Sequence, residues 1–282
     1  MAYNILLVTS EKDPVSVNVL KILVENYGFK HEKDLGEIQL YSSSKGLLAH
    51  VKEDLLHVDC LDKYFKSCIA VFVSRHESRE RRPSLLVHAT GNWTSQALYG
   101  GKPYQLSYTS ATLLKDAVNI LAEKADEYDL SSKYSVSLEA THHGPTEMHT
   151  PLIFIEIGST PSEWNDNKAV SALSETVMEL LQTKVPSKNY EYYVGFGGPH
   201  YAPEFTKVML KTNIAVGHIA PGYVFPIGVK DEVILESFEK VVEKPCKALI
   251  QWKGVKNPFR QSLVELLKEN NIEVLRIDKI RK

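Results

Sequence analysis

The chain opens with an apolar run followed by an amphipathic stretch, and this pattern recurs along its length. Residues 5–9 are apolar and β-prone, and Asp13 is placed as an N-cap before Pro14, which suits the first helical position. Apolar residues then recur at helical spacing as far as Gly28, which is placed to end the helix. This segment is therefore predicted to form one strand followed by one helix.

Later apolar runs and amphipathic stripes continue the alternation. Seven further runs are predicted to be strands: 69–73, 85–87, 136–138, 152–157, 192–194, 214–216 and 248–250. Apolar residues at helical spacing predict helices over 114–121 and 170–181, and two more are predicted to begin at Asp231 and at Asn257-Pro258. Apolar strands that alternate with amphipathic helices favour an α/β fold, with a mainly parallel or mixed sheet and helices on both faces.

Length and composition favour one large domain. The 282 residues are 43% hydrophobic and 24% charged, as in an ordinary globular protein. We expect a single α/β catalytic domain over 1–282, with a small C-terminal α/β subdomain at 231–282 inside it. The first ten residues lack the basic region of a signal peptide, and no apolar run approaches the roughly 20 residues of a membrane helix. A cytoplasmic monomer without a membrane partner is therefore expected.

Cysteine content and net charge restrict the chemistry. The three cysteines, Cys60, Cys68 and Cys246, form no CxxC pair, so neither a disulfide framework nor a cysteine zinc site is predicted. Any metal must therefore take nitrogen and oxygen ligands. The net charge of −2 gives no general attraction to nucleic acid, so such binding would depend on a local patch.

The histidines are clustered along the chain. Seven of the ten lie in five short segments, 74–78, 87–92, 141–149, 195–203 and 217–221, and each segment follows an apolar run. A single histidine at a strand end is more often a cap or a hydrogen-bond partner. Five segments with histidine at predicted strand ends, however, favour a shared site. Because the ends of parallel strands meet at one crevice of an open sheet, six histidines are predicted to converge there: His76, His88, His142, His143, His200 and His218.

These residue types suit zinc. A catalytic zinc site uses three protein ligands and keeps one position open for water. A histidine set with a carboxylate from Glu147, Glu156 or Glu204 would suffice, although no HExxH helix is present. In an extended chain the neighbouring His142 and His143 point in opposite directions, so one is expected to be a ligand and the other a general acid or base.

Two further features lie beside the histidines. Glycine-rich turns at 91–93, 144–145 and 195–198 could be ordinary tight turns, or could present amide N–H groups to an oxyanion or a phosphate. A charge run is usually a solvated loop, but one beside a catalytic edge could hold a phosphate backbone. Four arginines form such a run: Arg75, Arg79, Arg81 and Arg82. A polyanionic substrate is therefore plausible.

Taken together, six segments resemble the D-aminoacyl-tRNA deacylases of the archaeal and plant type. In chain order they are SRHES, HATGNW, THHGP, EIGSTPSEW, GGPHYAP and GHIAP. Any one of these segments alone would be weak evidence of a family. The six together are highly specific, and they span most of the chain. The resemblance implies a zinc-dependent esterase that hydrolyses the ester bond of D-aminoacyl-tRNA and releases free D-amino acid and tRNA. It also implies a fold similar to the phosphorylase and peptidyl-tRNA hydrolase group.

The resemblance and the residue types together give role assignments. One or two zinc ions per chain are expected, with four metal ligands or near neighbours: His88, His142, His200 and His218. Three residues are assigned to catalysis, with His143 in proton transfer: His143, His142 and Glu156. Nine are assigned to substrate binding: Arg75, Arg79, Arg81, Arg82, Asn92, Gly144, Gly197, Gly198 and Tyr201.

Two other functions stay open at this point. A zinc amidohydrolase acting on small peptides or N-acyl amino acids would use the same histidines but would not need the arginines. A non-catalytic RNA-binding protein would need the arginines and aromatic residues such as Trp93, Trp164 and Tyr201 for stacking, but no metal. Hydrolysis of tRNA-free substrates would favour the first, and absence of zinc would favour the second.

Overall fold

The computed structural model describes residues 3–280, which contain two large β-sheets covered by helices. The strands are β1 (Asn4–Ser10), β2 (Lys30–Leu35), β3 (Ile38–Ser43), β4 (Gly46–Val51), β5 (Cys68–Glu77), β6 (Ser84–His88), β7 (Gly91–Asn92), β8 (Gln105–Leu106), β9 (Ser135–Leu138), β10 (Leu152–Ser159), β11 (Glu191–Phe196), β12 (Ile214–Ala220), β13 (Lys247–Ile250) and β14 (Glu273–Arg276). The helices are α1 (Pro14–Tyr27), α2 (Leu61–Tyr64), α3 (Ala111–Glu127), α4 (Pro161–Trp164), α5 (Asn167–Leu180), α6 (Pro203–Lys211), α7 (Val224–Ile227), α8 (Asp231–Glu239) and α9 (Phe259–Glu269).

The larger sheet is mixed. Its order is β2-β3-β4-β1-β5-β10-β6-β9, with parallel pairing at β4-β1, β1-β5, β5-β10 and β6-β9. The other neighbours, including β10 and β6, are antiparallel. The central strands are almost wholly buried, as expected for strands covered on both faces. The predicted α/β class with a mixed sheet is therefore confirmed.

The strongly apolar elements form where the sequence predicts them. Each predicted apolar run lies within an observed strand, and α1 has the predicted ends. The Asp13 side chain accepts the Ser16 N–H at the start of α1, and Gly28 ends the helix with a φ of 71°. The region 30–51 was not predicted as strands. Its first strand, β2, is polar and largely exposed, so it has no apolar period to detect.

The C-terminal part of the chain builds a second, parallel sheet. Its order is β12-β11-β13-β14, so it begins at Glu191. The described part of the predicted subdomain 231–282 contributes β13 and β14 to this sheet and does not form a sheet of its own. Residues 281–282 of that prediction, and residues 1–2 of the predicted domain, lie outside the described residues.

The two sheets are joined by hydrogen bonds that bring the candidate site together. After β9, the Ala140 N–H donates to the His200 carbonyl at 2.8 Å, and the Ala202 N–H donates to Leu138 at 3.0 Å. Helix α3 packs against strands of both sheets, β6 and β12. Over residues 3–280, no helix is both long and apolar enough to span a membrane.

Candidate functional site

The centre of the site is Glu156, in the middle of β10. Alternate residues of a strand point to one face, so Phe154, Glu156 and Gly158 share a face of the sheet. The register places His88 of β6 opposite Phe154, and His76 of β5 opposite Gly158. Both imidazoles therefore flank Glu156 on one face. The sequence prediction that strand ends converge is incomplete, because β6 runs antiparallel to β10 and supplies His88 from the sheet surface.

Gly158 makes room for His76. A Cβ at this position would lie 2.7 Å from His76 Cδ2 and 2.9 Å from Ser84 Oγ, closer than packed atoms tolerate. Any larger residue would push the imidazole away from Glu156. Gly158 is therefore required because the site leaves no space for a side chain at this position.

A loop brings two more imidazoles over this face. The ring centroids of His142 and His143 lie 4.3 and 4.8 Å from that of His88, and 4.4 Å from each other. His143 has a φ of 46°, in the left-handed region, so the two side chains do not diverge as they would in an extended strand. The extended chain that would point His142 and His143 in opposite directions is therefore not present here. His200, after β11, completes the group 4.5 Å from His142.

Glu139 belongs to the cluster and was missed by the sequence analysis. One of its carboxylate oxygens lies 3.0 Å from His200 Nε2, and the other lies 3.7 Å from His76 Nδ1 and 4.0 Å from His88 Nε2. Its side chain is fully buried, and neither oxygen has a hydrogen-bond partner among the described residues. The sequence did carry a signal, because Glu139 follows an apolar strand directly, as several of the histidine segments do.

Backbone carbonyls set the protonation of three imidazoles. The Nδ1 atoms of His88, His142 and His143 lie 3.1, 2.8 and 2.6 Å from carbonyl oxygens of their own chain segments. Burial opposes protonation of His88, but Glu156 and the Glu139 charge outweigh it and raise the pKa of His88. A carbonyl can only accept, so each Nδ1 carries a proton, and the neutral rings of His142 and His143 keep a lone pair on Nε2. This is the arrangement in which a second hydrogen bond orients a histidine towards a metal.

The pKa values within the cluster diverge. Burial lowers the pKa of His142 well below its usual value, and the neighbouring imidazoles lower it further. Burial and the charge of His88 likewise lower the pKa of His143 to about 3. Burial also opposes protonation of His76, but its hydrogen bond to Glu156 and the Glu139 charge outweigh burial and raise the pKa to about 9. The loop histidines are therefore neutral at pH 7.

The cluster offers donor sets that fit a metal ion. Three sets hold their potential ligand atoms within 4.8 Å of one another: His88, His142 and His143; Glu139, His142 and His200; and His76, Glu139 and Glu156. The unpartnered atoms His88 Nε2 and both Glu139 oxygens lie within these sets. Neutral imidazoles and carboxylates are the donors that a divalent ion such as zinc takes in proteins.

Five residues of the cluster line an open cleft of about 660 Å³: His76, His142, His143, Glu156 and His200. Arg75, Arg79 and Arg81 line it, as predicted for arginines that face the site. The Arg75 guanidinium is held by Asp13 at 3.2 Å and lies over the Trp164 ring. Arg82 does not line the cleft, because its side chain is 78% exposed and pairs with Glu80.

His218 does not join the cluster. Its Nε2 lies 3.0 Å from the Ser107 carbonyl and its Nδ1 lies 3.2 Å from Thr141 Oγ1, so both ring nitrogens are already used. The side chain is wholly buried and packs edge-on against Trp93. The assignment of His218 as a metal ligand is corrected on this ground. Its position indicates a structural role, since it fixes Thr141 beside His142.

The other predicted substrate-binding residues fall into two groups. Tyr201 touches the cluster, because its hydroxyl lies 3.0 Å from His76 Nε2. Asn92 donates to the Gly100 and Lys102 carbonyls, and so it supports a loop beside the cleft. Gly197 and Gly198 pack against the 251–254 segment, where a Cβ on Gly198 would meet Gln251 Oε1 at 2.2 Å. Neither glycine lines the cleft.

Gly144 and the two remaining candidate carboxylates take different positions. Gly144 packs against the backbone of Gly100 and Gly101, next to His143. Glu147 is exposed and forms an ion pair with Lys102, and Glu204 lies in the first turn of α6. Of the three carboxylates considered from the sequence, Glu156 is the one at the cluster.

Comparison with known proteins identifies the family. The family model described as D-aminoacyl-tRNA deacylase matches residues 64–275. Proteins of that description from Thermococcus onnurineus and Pyrococcus furiosus are 37% and 35% identical over 277 residues, each alignment covering 96% of this chain and 98% of the relative. The Archaeoglobus fulgidus protein of that description is 33% identical over 283 residues, 98% of both chains.

A solved structure shares the fold of this chain. A crystal structure of a conserved protein of unknown function superposes with a TM-score of 0.90 at 32% identity, covering 99% of this chain and 96% of that one. The family resemblance drawn from the six segments is thereby confirmed. The chain belongs to the D-aminoacyl-tRNA deacylase family, a family of hydrolases.

Proposed function

We propose that the protein uses zinc, held by the histidine–carboxylate cluster, to hydrolyse the ester bond of D-aminoacyl-tRNA. The observation that carries the proposal is Glu139, a buried carboxylate without a hydrogen-bond partner among the described residues, surrounded by imidazoles beneath an arginine-lined cleft. A buried carboxylate costs several kcal/mol unless it is paired or binds a metal. The choice of D-aminoacyl-tRNA as substrate rests on the family to which the chain belongs. The arginines that line the cleft suit a substrate with a phosphate backbone.

The cluster has room for one or two ions. Two of the donor sets leave His143 free, one formed by Glu139, His142 and His200 and the other by His76, Glu139 and Glu156. Glu139 belongs to both, so it lies where the two sets meet. A bound zinc ion supplies Lewis-acid activation of the ester carbonyl and of water.

His143 is the residue proposed to move the proton. Its Nδ1–H is held by the Gly144 carbonyl, which orients the ring and stabilises the imidazolium, as the third group of a catalytic triad does. Nε2 then accepts a proton from the attacking water and returns it to the ribose oxygen as that oxygen leaves. The products are tRNA and the free D-amino acid, so no nucleophilic side chain is required.

The arginines are proposed to hold the tRNA backbone. Arg79 and Arg81 line the cleft, and Arg81 also lines a neighbouring cavity of about 510 Å³. An RNA strand leaving the cleft would therefore pass Arg81. A zinc amidohydrolase acting on small N-acyl substrates would not need Arg79 and Arg81 beside its site. Their presence therefore favours an RNA ester over a small amide as the substrate.

Deacylation measured beside metal analysis tests the proposal. We expect the purified protein to contain zinc and to cleave D-tyrosyl-tRNA faster than an N-acyl amino acid at equal enzyme concentration. Chelation should abolish turnover, and added zinc should restore it. Full activity in chelated protein would refute the metal role, and faster cleavage of the tRNA-free amide would replace the deacylase with an amidohydrolase.

Replacement of Arg79 and Arg81 with alanine should weaken tRNA binding and flatten its salt dependence. Each lost phosphate contact removes about one unit from the slope of log K against log salt, so a change of about two units is expected. Filter binding of uncharged tRNA between low and moderate salt measures the slope. The Arg82→Ala protein is the matched control, because Arg82 does not line the cleft. An unchanged slope in the double variant would show that these arginines do not contact the tRNA phosphates and belong to an ordinary solvated loop.

A further inference from the structure

The rim of the cleft carries two exposed apolar side chains. Leu98 is 80% exposed and Tyr99 is 67% exposed, more than any other large hydrophobic residue among the described residues. Tyr99 also lines the cleft. Water contact on this scale is costly for large apolar groups, and an exposed aromatic residue at the rim of a site is typical of one that receives a ligand.

The segment that carries Tyr99 is tightly held. The Gly144 N–H donates to the Tyr99 carbonyl at 3.0 Å, and the Asn92 amide donates to the carbonyls of Gly100 and Lys102. A Cβ on Gly100 would lie 2.5 Å from the Leu56 carbonyl oxygen, so the backbone there is in close contact. The exposed ring is therefore presented from a fixed backbone, which lowers the entropy cost of stacking against it.

Tyr99 lines the same cleft as His142, His143 and His200. Its carbonyl is hydrogen-bonded to Gly144, the residue that follows His143, so one hydrogen bond links the rim to the proposed proton carrier. In an aminoacyl-tRNA the ester and the terminal adenine are attached to the same ribose. A substrate whose ester lies at the cluster must therefore hold its terminal base within the same cleft, and Tyr99 lines that cleft.

We infer that Tyr99, with Leu98 beside it, is the stacking platform for the 3′-terminal adenine of the tRNA, an inference that rests on the proposed function. The charge of the same cleft fits this occupant, since Arg79 and Arg81 are available for the phosphates that lead to the terminal nucleotide. Base–aromatic stacking needs no hydrogen bonds to the base edge, so one exposed ring suffices.

Binding of a short RNA tests the platform without any need for catalysis. The probes are the trinucleotide cytidylyl-cytidylyl-adenosine and the same trinucleotide with an abasic 3′ residue, measured by titration calorimetry. The wild-type protein should bind the adenine-ended probe about tenfold more tightly than the abasic one. Tyr99→Ala should remove this preference, and Tyr99→Phe should keep it because the ring remains. Phe259→Ala, an exposed aromatic outside the cleft, is the matched control and should also keep it.

The outcomes separate the platform from the proposed function. No preference for adenine in the wild type, or an unchanged preference in Tyr99→Ala, overturns the platform. A dimer that dissociates in Tyr99→Ala, seen by sedimentation, assigns the patch to self-association and also overturns it. If the preference depends on Tyr99 while the wild type leaves D-tyrosyl-tRNA intact, the platform stands and the proposed deacylase function falls.

Discussion

Glu139→Gln is expected to lower kcat on D-aminoacyl-tRNA by about a thousandfold and to reduce the zinc content of the protein. The carboxylate lies 3.0 Å from His200 and within 4.0 Å of His76 and His88, and its oxygens have no hydrogen-bond partner among the described residues. Glutamine keeps the shape of the side chain but removes the negative charge that a cation requires. The measurements are single-turnover deacylation and elemental analysis.

The thermal stability of the metal-free protein distinguishes this effect from misfolding. Glutamine keeps the buried shape of the side chain but removes its charge from the ion pairs with His76 and His200, so the Tm of chelated protein should fall by only about a few degrees. Glu147→Gln is the control, because Glu147 is exposed and paired with Lys102, and it should keep full activity. If the Glu139→Gln protein keeps wild-type activity and zinc content, Glu139 is not part of the metal site.

The second large effect concerns chirality: the protein should hydrolyse D-tyrosyl-tRNA at least about a hundredfold faster than L-tyrosyl-tRNA. The enantiomers carry the same groups, so one is excluded only if a rigid wall meets its side chain or leaves its amino group unpaired. The backbone of His143, which lines the cleft and is held in place through Gly144, is proposed as such a wall. A Cβ on Gly144 would lie 2.4 Å from Gly101 N and 2.6 Å from the Leu56 carbonyl oxygen, so the backbones are in direct contact there.

Gly144→Ala should therefore displace the histidine loop and lower the rate on the D-ester by about a hundredfold, while narrowing the difference between enantiomers. His143→Ala should lower the D-rate without admitting the L-ester, because it leaves the backbone wall in place. Gly46→Ala is the control, since Gly46 begins β4 outside the cleft and the atoms nearest to its Cβ would belong to the flexible Leu181 side chain. Time courses on both esters give the rates. Equal rates of the wild type on the two esters would contradict the chiral function.

Local properties of the sequence determined most of the framework. The eight predicted strands are apolar runs, and the predicted helices have an apolar period or caps such as Asp13 and Gly28, so these elements followed from their own residues, whereas β4 and α6 were not predicted. The polar strand β2 has no such period, and its place at the sheet edge comes from pairing with β3. Residue type also indicated a histidine site, and the six segments indicated the family.

The membership of the site was decided by the tertiary structure. His88 and His76 meet Glu156 because of the register of three strands that lie far apart in the sequence. The His143 side chain lies beside that of His142 because the His143 backbone has a left-handed conformation. A prediction that treats this segment as extended chain does not foresee that conformation. His218 lies within β12 and Glu139 directly follows β9, yet the first is satisfied by Ser107 and Thr141 and the second has no hydrogen-bond partner among the described residues. A sequence specifies which polar groups are available, but only packing decides which of them lose water without gaining a partner.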